Sequence, residues 1–158
     1  MGTSLGASAS ITAAAELPEI SAVIALSAFA DFTDMAVEVM PKFGIPKFIA
    51  RIDKPFLKIV IGFRLGFGNL KYSPINAVKK PGFPPLLLMH STDDDQVPYP
   101  QFEKLLATAQ STNVQVTSLA HKSNEHLVFA DITEPTKDAE LSQAILNFIR
   151  EIDNYAKI

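Results

Sequence analysis

The 158-residue chain predicts an α/β fold with a parallel sheet flanked by helices, and three observations lead there. Two short runs, Ser21–Ser27 and Pro85–His90, are almost continuously apolar, which is the pattern of strands buried on both faces. A third, Val114–Leu119, is rich in β-branched residues with a period of two. Stretches with helical spacing separate the three, and alternation of that kind is the signature of strands joined by helical crossovers.

Each element follows from local chemistry. Ser4 to about Leu17 is helix-forming sequence that Pro18 terminates, and Ser21–Ser27 is the first strand. Asp31 and Asp34 open a helical region reaching about Tyr72, which Pro41, Pro46 and Pro55 are expected to divide into short pieces. Residues 31–72 therefore read as a helical, cap-like insertion within one domain spanning 1–158. Its most apolar part, Phe56–Phe67, is interrupted by Lys58, Gly62 and Arg64, too short for a membrane span, and expected to be a buried or partly buried helix. Whether 43–67 forms a cover or belongs to the core is open at this level, because one apolar stripe serves either role. Lys79–Pro84 is a turn-rich connection into the second strand, which ends at His90. Tyr99–Gln110 has helical spacing through Phe102, Leu105 and Leu106, and the third strand follows. From Thr136 to about Tyr155, Leu141, Ile145, Phe148, Ile149 and Ile152 lie mostly along one face of a terminal helix.

Composition bounds the function. Hydrophobic residues make up 47% of the chain and charged residues 20%, as in a soluble globular domain. The formal charge of -3, from 17 acidic and 14 basic residues without a long single-sign run, gives no nucleic-acid footprint and favours small or neutral substrates. There is no cysteine, so thiol nucleophiles, disulfides and thiolate metal sites are all excluded, and any catalysis must use Ser, His and carboxylates. No metal or cofactor is expected. The first residues lack a basic segment followed by a long apolar one, so a secretory leader is not expected and a cytoplasmic location is.

Three segments carry chemistry. Gly2-Thr3-Ser4-Leu5-Gly6 is a G-x-S-x-G, in which a serine on a sharp strand-to-helix turn exposes its Oγ. The two glycines are expected to permit close packing around that turn. The Leu5 N–H, at the start of the helix, would face a developing oxyanion with the positive end of the helix dipole behind it. Alone such a string occurs often by chance; the uninterrupted helix-forming stretch Ala7–Leu17 is the context it needs. His90-Ser91-Thr92-Asp93-Asp94-Asp95-Gln96-Val97-Pro98 follows directly after a strand, where a carboxylate can orient an imidazole, or the acidic turn can simply cap the helix beginning near Tyr99. His126 stands in Asn124–Phe129, a few residues beyond the third strand, where a loop can return it over the sheet to Ser4. A lone loop histidine is usually a surface residue; its place after a serine and an acid at separate strand ends argues otherwise.

Together Gly2–Gly6, Ser73-Pro-Ile-Asn-Ala77, Pro84–Pro98 and His126-Leu-Val-Phe129 resemble the C-terminal half of α/β-hydrolases, near the carboxylesterase and monoacylglycerol lipase groups, over nearly the whole chain. The resemblance implies a partial α/β-hydrolase fold with the last three strands of the sheet. Aligning the family's His-Gly-x-x-Asp-x-x-Val-Pro on His90 and Val97-Pro98 selects Asp94 as the acid, with Asp93 the runner-up. It favours His126 over His121 as the base and leaves His90 structural. Ser4 becomes the nucleophile and the Leu5 N–H one oxyanion donor. Ser91 replaces the usual glycine, and Asn124-Glu125 a glycine-rich approach to the histidine. The implied activity is hydrolysis of a small acyl ester through an acyl-enzyme. A peptidase of the prolyl oligopeptidase group, or a non-catalytic fragment needing a second polypeptide, are the competing readings. The strands upstream of the elbow and the loop with the second oxyanion donor are missing relative to that family. An open edge at Ser21–Ser27 is accordingly expected to pair with another chain or with a second copy.

Overall fold

The computed structural model describes residues 1–129, 134 and 137–155. A parallel sheet runs in the order β1 (Gly2–Thr3), β2 (Val23–Leu26), β3 (Leu86–Ser91), β4 (Val116–His121), so strand order in space is strand order in sequence. The helices are α1 (Leu5–Ala14), α2 (Phe32–Val39), α3 (Lys47–Leu65), α4 (Pro74–Ala77), α5 (Tyr99–Ser111) and α6 (Ala139–Tyr155), with 3-10 turns at Met40–Phe43 and Phe67–Lys71. The predicted fold class is the observed one. No helix among the described residues is long and apolar enough to cross a membrane.

The continuous apolar runs have the physical cause inferred for them. Successive strand side chains point to opposite faces, and here each face has its own core. Val23, Ala25, Leu86 and Leu88 pack under α1, α4 and α5 against Ile11, Val78, Phe102 and Leu105. Ile24, Leu26, Leu87 and Met89 pack on the other face against Val128, Phe129, Leu141 and Phe148. All four residues of β2 and all six of β3 are therefore buried. β4 is an edge with one side largely exposed, which accounts for its weaker apolar signal.

Several expected boundaries shift. The sheet has a fourth strand beyond the three expected: Gly2 and Thr3 pair with Ala25 and Leu26, and the Ser4 N–H donates to the Leu26 carbonyl at 2.8 Å. The edge expected to lie open along the whole of Ser21–Ser27 is thus covered at its C-terminal end, leaving Val23 and Ile24 without a strand on that side. The third long strand starts at Val116 rather than Val114, because the Val114 N–H is used to close α5, donating to Ala109 O at 3.1 Å after Asn113 turns with φ 57°. Thr136, the expected start of the last helix, lies outside the described residues.

The insertion differs more. Pro55 does not end a helix; it sits inside the 19-residue α3. A proline there removes the donor for the carbonyl four residues earlier, but Arg51 and Pro55 are both exposed, so water can satisfy that carbonyl. Phe56–Phe67 is partly buried, as one of the two expectations had it: Leu57 and Ile61 are half-buried and Gly62 is buried, while Phe56 is 66% and Phe63 78% exposed. α3 contacts α2 and the two 3-10 turns, and of residues 47–64 only Ala50 and Gly62 are buried. These are not core helices of the sheet.

Candidate active site

The sharp turn at Ser4 is a consequence of strand and helix meeting with no intervening loop. Ser4 has φ 50° and ψ -120°, a conformation seldom occupied by residues with a side chain and costing on the order of 1–3 kcal/mol. It also leaves α1 without a side-chain N-cap, because the hydroxyl that would cap the helix is directed elsewhere. Gly2 is the glycine that this geometry requires: a Cβ there would run into the Gly6 carbonyl and come within 2.8 Å of Ala7 N. Gly6 is not, since a Cβ on it meets nothing within 4 Å. The expectation that both glycines allow close packing is corrected to Gly2 alone.

The Ser4 Oγ lies 2.8 Å from His126 Nε2. His126 Nδ1 in turn lies 3.0 and 2.9 Å from the two carboxylate oxygens of Asp94. Asp94 Oδ1 also accepts from the backbone N–H groups of Gln96 at 2.8 Å and Val97 at 2.9 Å, so the turn after β3 holds the carboxylate that meets the ring. The side chain of Asp94 is fully buried, and that of His126 is 11% exposed. Asp93 and Asp95 are exposed, and Asp93 accepts from Thr92 Oγ1 at 3.0 Å instead. His121, at the end of β4, stands 3.8 Å from Glu140 of α6. Of the residues singled out in the sequence, the structure thus brings Ser4, Asp94 and His126 together and leaves Asp93, Asp95 and His121 aside. Leu5 opens α1, whose first N–H groups have no acceptor within the helix. Among the described residues no group of three or more His, Asp or Glu is arranged to hold a metal ion.

Two residues not singled out for a role hold the histidine loop. Ser91 Oγ donates to the Glu125 carbonyl at 2.6 Å, and Ser27 Oγ donates to the carbonyl of His126 itself. Both serines are fully buried at strand ends, and Ser27 has φ 54°, so its backbone is turned to present that hydroxyl. Ser91 occupies the position where the resembled family has glycine, and this hydroxyl clamp is what the substitution supplies. Beyond His126, Val128 (φ 69°) and Phe129 are buried in the core under β2 and β3 and anchor the loop from its other end.

His90 is fully buried and structural, as the resemblance implied. One ring nitrogen, Nε2, lies 2.9 Å from the Val97 carbonyl, fixing the same turn that holds Asp94, and the ring packs beside Tyr99 and Phe102. Burial pushes its pKa below the ordinary 6.5; the Val97 carbonyl and Asp94 oppose that shift, and His126 adds to it. The Val97 carbonyl can only accept, so the ring nitrogen facing it, Nε2, carries a proton.

An open groove of about 550 Å³ begins at Leu5 and runs along α1, with Phe29, Phe32 and Tyr72 on its far wall. Its lining is predominantly apolar, suited to a hydrocarbon group.

The structure is similar to solved structures of esterases and peptidases. An esterase of Pyrococcus furiosus superposes with a TM-score of 0.63 at 19% identity, covering 95% of this chain and 51% of its own. The esterase domain of a Rhodothermus marinus protein gives 0.58 at 21% identity, covering 90% and 56%. A puromycin-hydrolyzing peptidase of Mycobacterium tuberculosis gives 0.55 at 18%, covering 77% and 17%. The chain thus spans about half the length of the P. furiosus esterase. At these identities the likeness establishes the α/β-hydrolase fold. No curated relative matches the sequence. Residues 66–154, more than half of the chain and including Asp94 and His126, match the profile of the prolyl oligopeptidase family, Peptidase_S9, and the chain belongs to that family.

Proposed function

We propose that this chain carries the nucleophile, base and acid of a serine hydrolase that cleaves acyl esters through an acyl-enzyme. The observation that supports it most is the unbroken line from Ser4 Oγ through His126 to Asp94, with each contact between 2.8 and 3.0 Å. In this reading His126 Nε2 removes the Ser4 proton as Oγ attacks the acyl carbonyl. Asp94 accepts from Nδ1–H, which keeps Nε2 free as the base and stabilises the imidazolium that forms. The Leu5 N–H donates to the oxyanion. The imidazolium then protonates the leaving alcohol, and a water activated by the same nitrogen releases the acid. The apolar groove beginning at Leu5 favours an acyl ester over a sugar or nucleotide.

A second reading, peptide cleavage, has a specific observation in its favour: the family profile, and a peptidase among the similar structures. Rates on p-nitrophenyl butyrate and on a short peptide p-nitroanilide separate the two. The assignment of the nucleophile is tested with a fluorophosphonate probe, which is expected to label the chain at Ser4 and to leave Ser4→Ala unlabelled. Labelling of the Ala variant at the wild-type rate would place the nucleophile elsewhere.

A further inference from the structure

The hydrolytic site makes no use of α3, yet α3 presents the longest exposed apolar surface of the described residues. Phe48, Ile52, Phe56, Ile59 and Phe63 recur at helical spacing on one face, and all are between 46% and 78% exposed. Ile49 and Val60 widen the stripe, and Phe43 and Phe67 extend it past both helix ends. The stripe from Phe48 to Phe63 is about 22 Å long. Soluble proteins seldom leave so much contiguous apolar surface in water without a use for it. The face is presented deliberately: α3 packs inward through Ala50 and Gly62, and the Phe67 ring lies where a Cβ on Gly62 would stand, 2.6 Å away.

Charge identifies what the face meets. α3 holds Lys47, Arg51, Lys54, Lys58 and Arg64 against a single acidic residue, Asp53, within a chain of net charge -3. Lys54 is committed to Asp34 in α2. Helical periodicity puts Lys47, Arg51 and Lys58 along one margin of the apolar stripe and Arg64 beyond the other, all of them exposed. A second copy docked through the same face would set these basic margins against each other, since a two-fold contact pairs a patch with itself. An aromatic and aliphatic face bordered by lysine and arginine is complementary instead to a surface with an apolar interior and anionic head groups.

We propose that the exposed face of α3 adsorbs, lying in the interfacial plane without crossing, to an anionic lipid surface. Phe48, Phe56 and Phe63 enter the acyl boundary, while Lys47, Arg51, Lys58 and Arg64 reach the head groups with their stems along it. Because α3 belongs to the segment between β2 and β3, adsorption also fixes how the serine site is presented to substrates dissolved in the lipid. The adsorption itself is independent of the hydrolytic reading, and its test needs no turnover.

The test is flotation of the full chain with vesicles of phosphatidylcholine alone or of phosphatidylcholine and phosphatidylglycerol in equal parts. The chain is expected to float with the mixed vesicles, and to bind neutral ones at least ~10-fold more weakly, since each basic residue near an anionic surface contributes about five-fold in partitioning. Phe48→Ser/Phe56→Ser/Phe63→Ser, whose side chains are exposed and whose circular dichroism is expected to match the parent, should abolish flotation. Arg51→Glu/Lys58→Glu should weaken it at least ~10-fold, and added salt should do the same. Absence of flotation with the mixed vesicles, or full flotation of the triple variant, overturns the proposal. So does a dimer in light scattering that the triple Phe variant dissolves while no chain floats, which would assign the face to a second copy.

Discussion

Asp94 is one of three consecutive aspartates, and only its surroundings distinguish it. It is buried, accepts two backbone N–H groups and meets the His126 ring, while its neighbours face solvent. Asp94→Asn is therefore expected to slow labelling by a fluorophosphonate, and turnover of an activated ester, by roughly three to four orders of magnitude through loss of the correct tautomer. Asp93→Asn and Asp95→Asn should change either rate less than about three-fold, as surface substitutions away from the reacting atoms do. Equal losses at all three would assign the turn an electrostatic rather than an orienting role. The two glycines of the elbow give a second contrast. Gly2→Ala puts a methyl group against the Gly6 carbonyl and Ala7 N, both backbone, and is expected to cost about 1–3 kcal/mol. Gly6→Ala adds a methyl in open space within α1 and should stabilise by ~0.5–1 kcal/mol. Urea denaturation of the two variants checks both signs. Ser4, Asp94 and His126 were legible because motif residues have fixed neighbours in sequence. The clamp by Ser27 and Ser91 was not, because each hydroxyl meets a carbonyl that lies 99 or 34 residues further along the chain.

At the scale of elements, α2 and α3 are tied to the rest of the fold in part through polar contacts. Asp34 of α2 pairs with Lys54 of α3 and with Lys104 of α5, and Lys42 donates to the Asp95 carbonyl. Partial burial raises the Asp34 pKa, but the hydrogen bonds and charges of Lys104 and Lys54 outweigh it, so the carboxyl titrates below its ordinary 3.8. A carboxyl lowered in the folded state stabilises fully above its unfolded pKa, and that contribution is lost as pH falls below 3.8 through the folded value. Asp34→Asn is expected to loosen α3 at neutral pH. Trypsin should then cut at Arg51 and Lys58 several-fold faster than in the parent, while sites in α5 stay protected. Unchanged cleavage would show that apolar contacts with α2 hold α3 without the ion pairs. Helical character here was readable from sequence, since Asp31 accepts from the Thr33 and Asp34 N–H groups as an N-cap should. The continuity of α3 through Pro55 was not, because the cost of that proline depends on whether water reaches the Arg51 carbonyl.

At the scale of the whole molecule, β2 is the decisive strand. Its two faces are covered, but on the β1 side, among the described residues, only Ala25 and Leu26 have strand partners, and Val23 and Ile24 present a strand edge. Short apolar edges of this kind recruit other strands. The chain is expected to elute in size-exclusion chromatography with light scattering as a species heavier than its 17.2 kDa, and the triple Phe variant of α3 should elute likewise, since a different surface is involved. In a parallel p-nitrophenyl butyrate assay the chain is expected to turn over at least about a hundred-fold more slowly than esterases of about twice its length. The reason is that in the proposed mechanism Leu5 is the one oxyanion donor assigned, and loss of one such donor costs ~10²–10³. A monomer with the turnover of those longer esterases would contradict both expectations.

The sequence by itself determined the alternation of strands and helices, the apolar cores on both faces of β2 and β3, and the serine, carboxylate and histidine positioned at the strand ends. These are local properties: periodicity of two against 3.6, proline and aspartate at helix boundaries, and short motifs whose residues are neighbours in the chain. Tertiary structure decided which glycine the elbow requires and which hydroxyls clamp the histidine loop. It decided that two residues before Ser4 form a strand, and that α3 turns its apolar stripe outward. Each of these depends on what lies beside a residue from a distant part of the chain. The same stripe of Phe and Ile reads identically whether a helix buries it or exposes it, and only packing chooses between them.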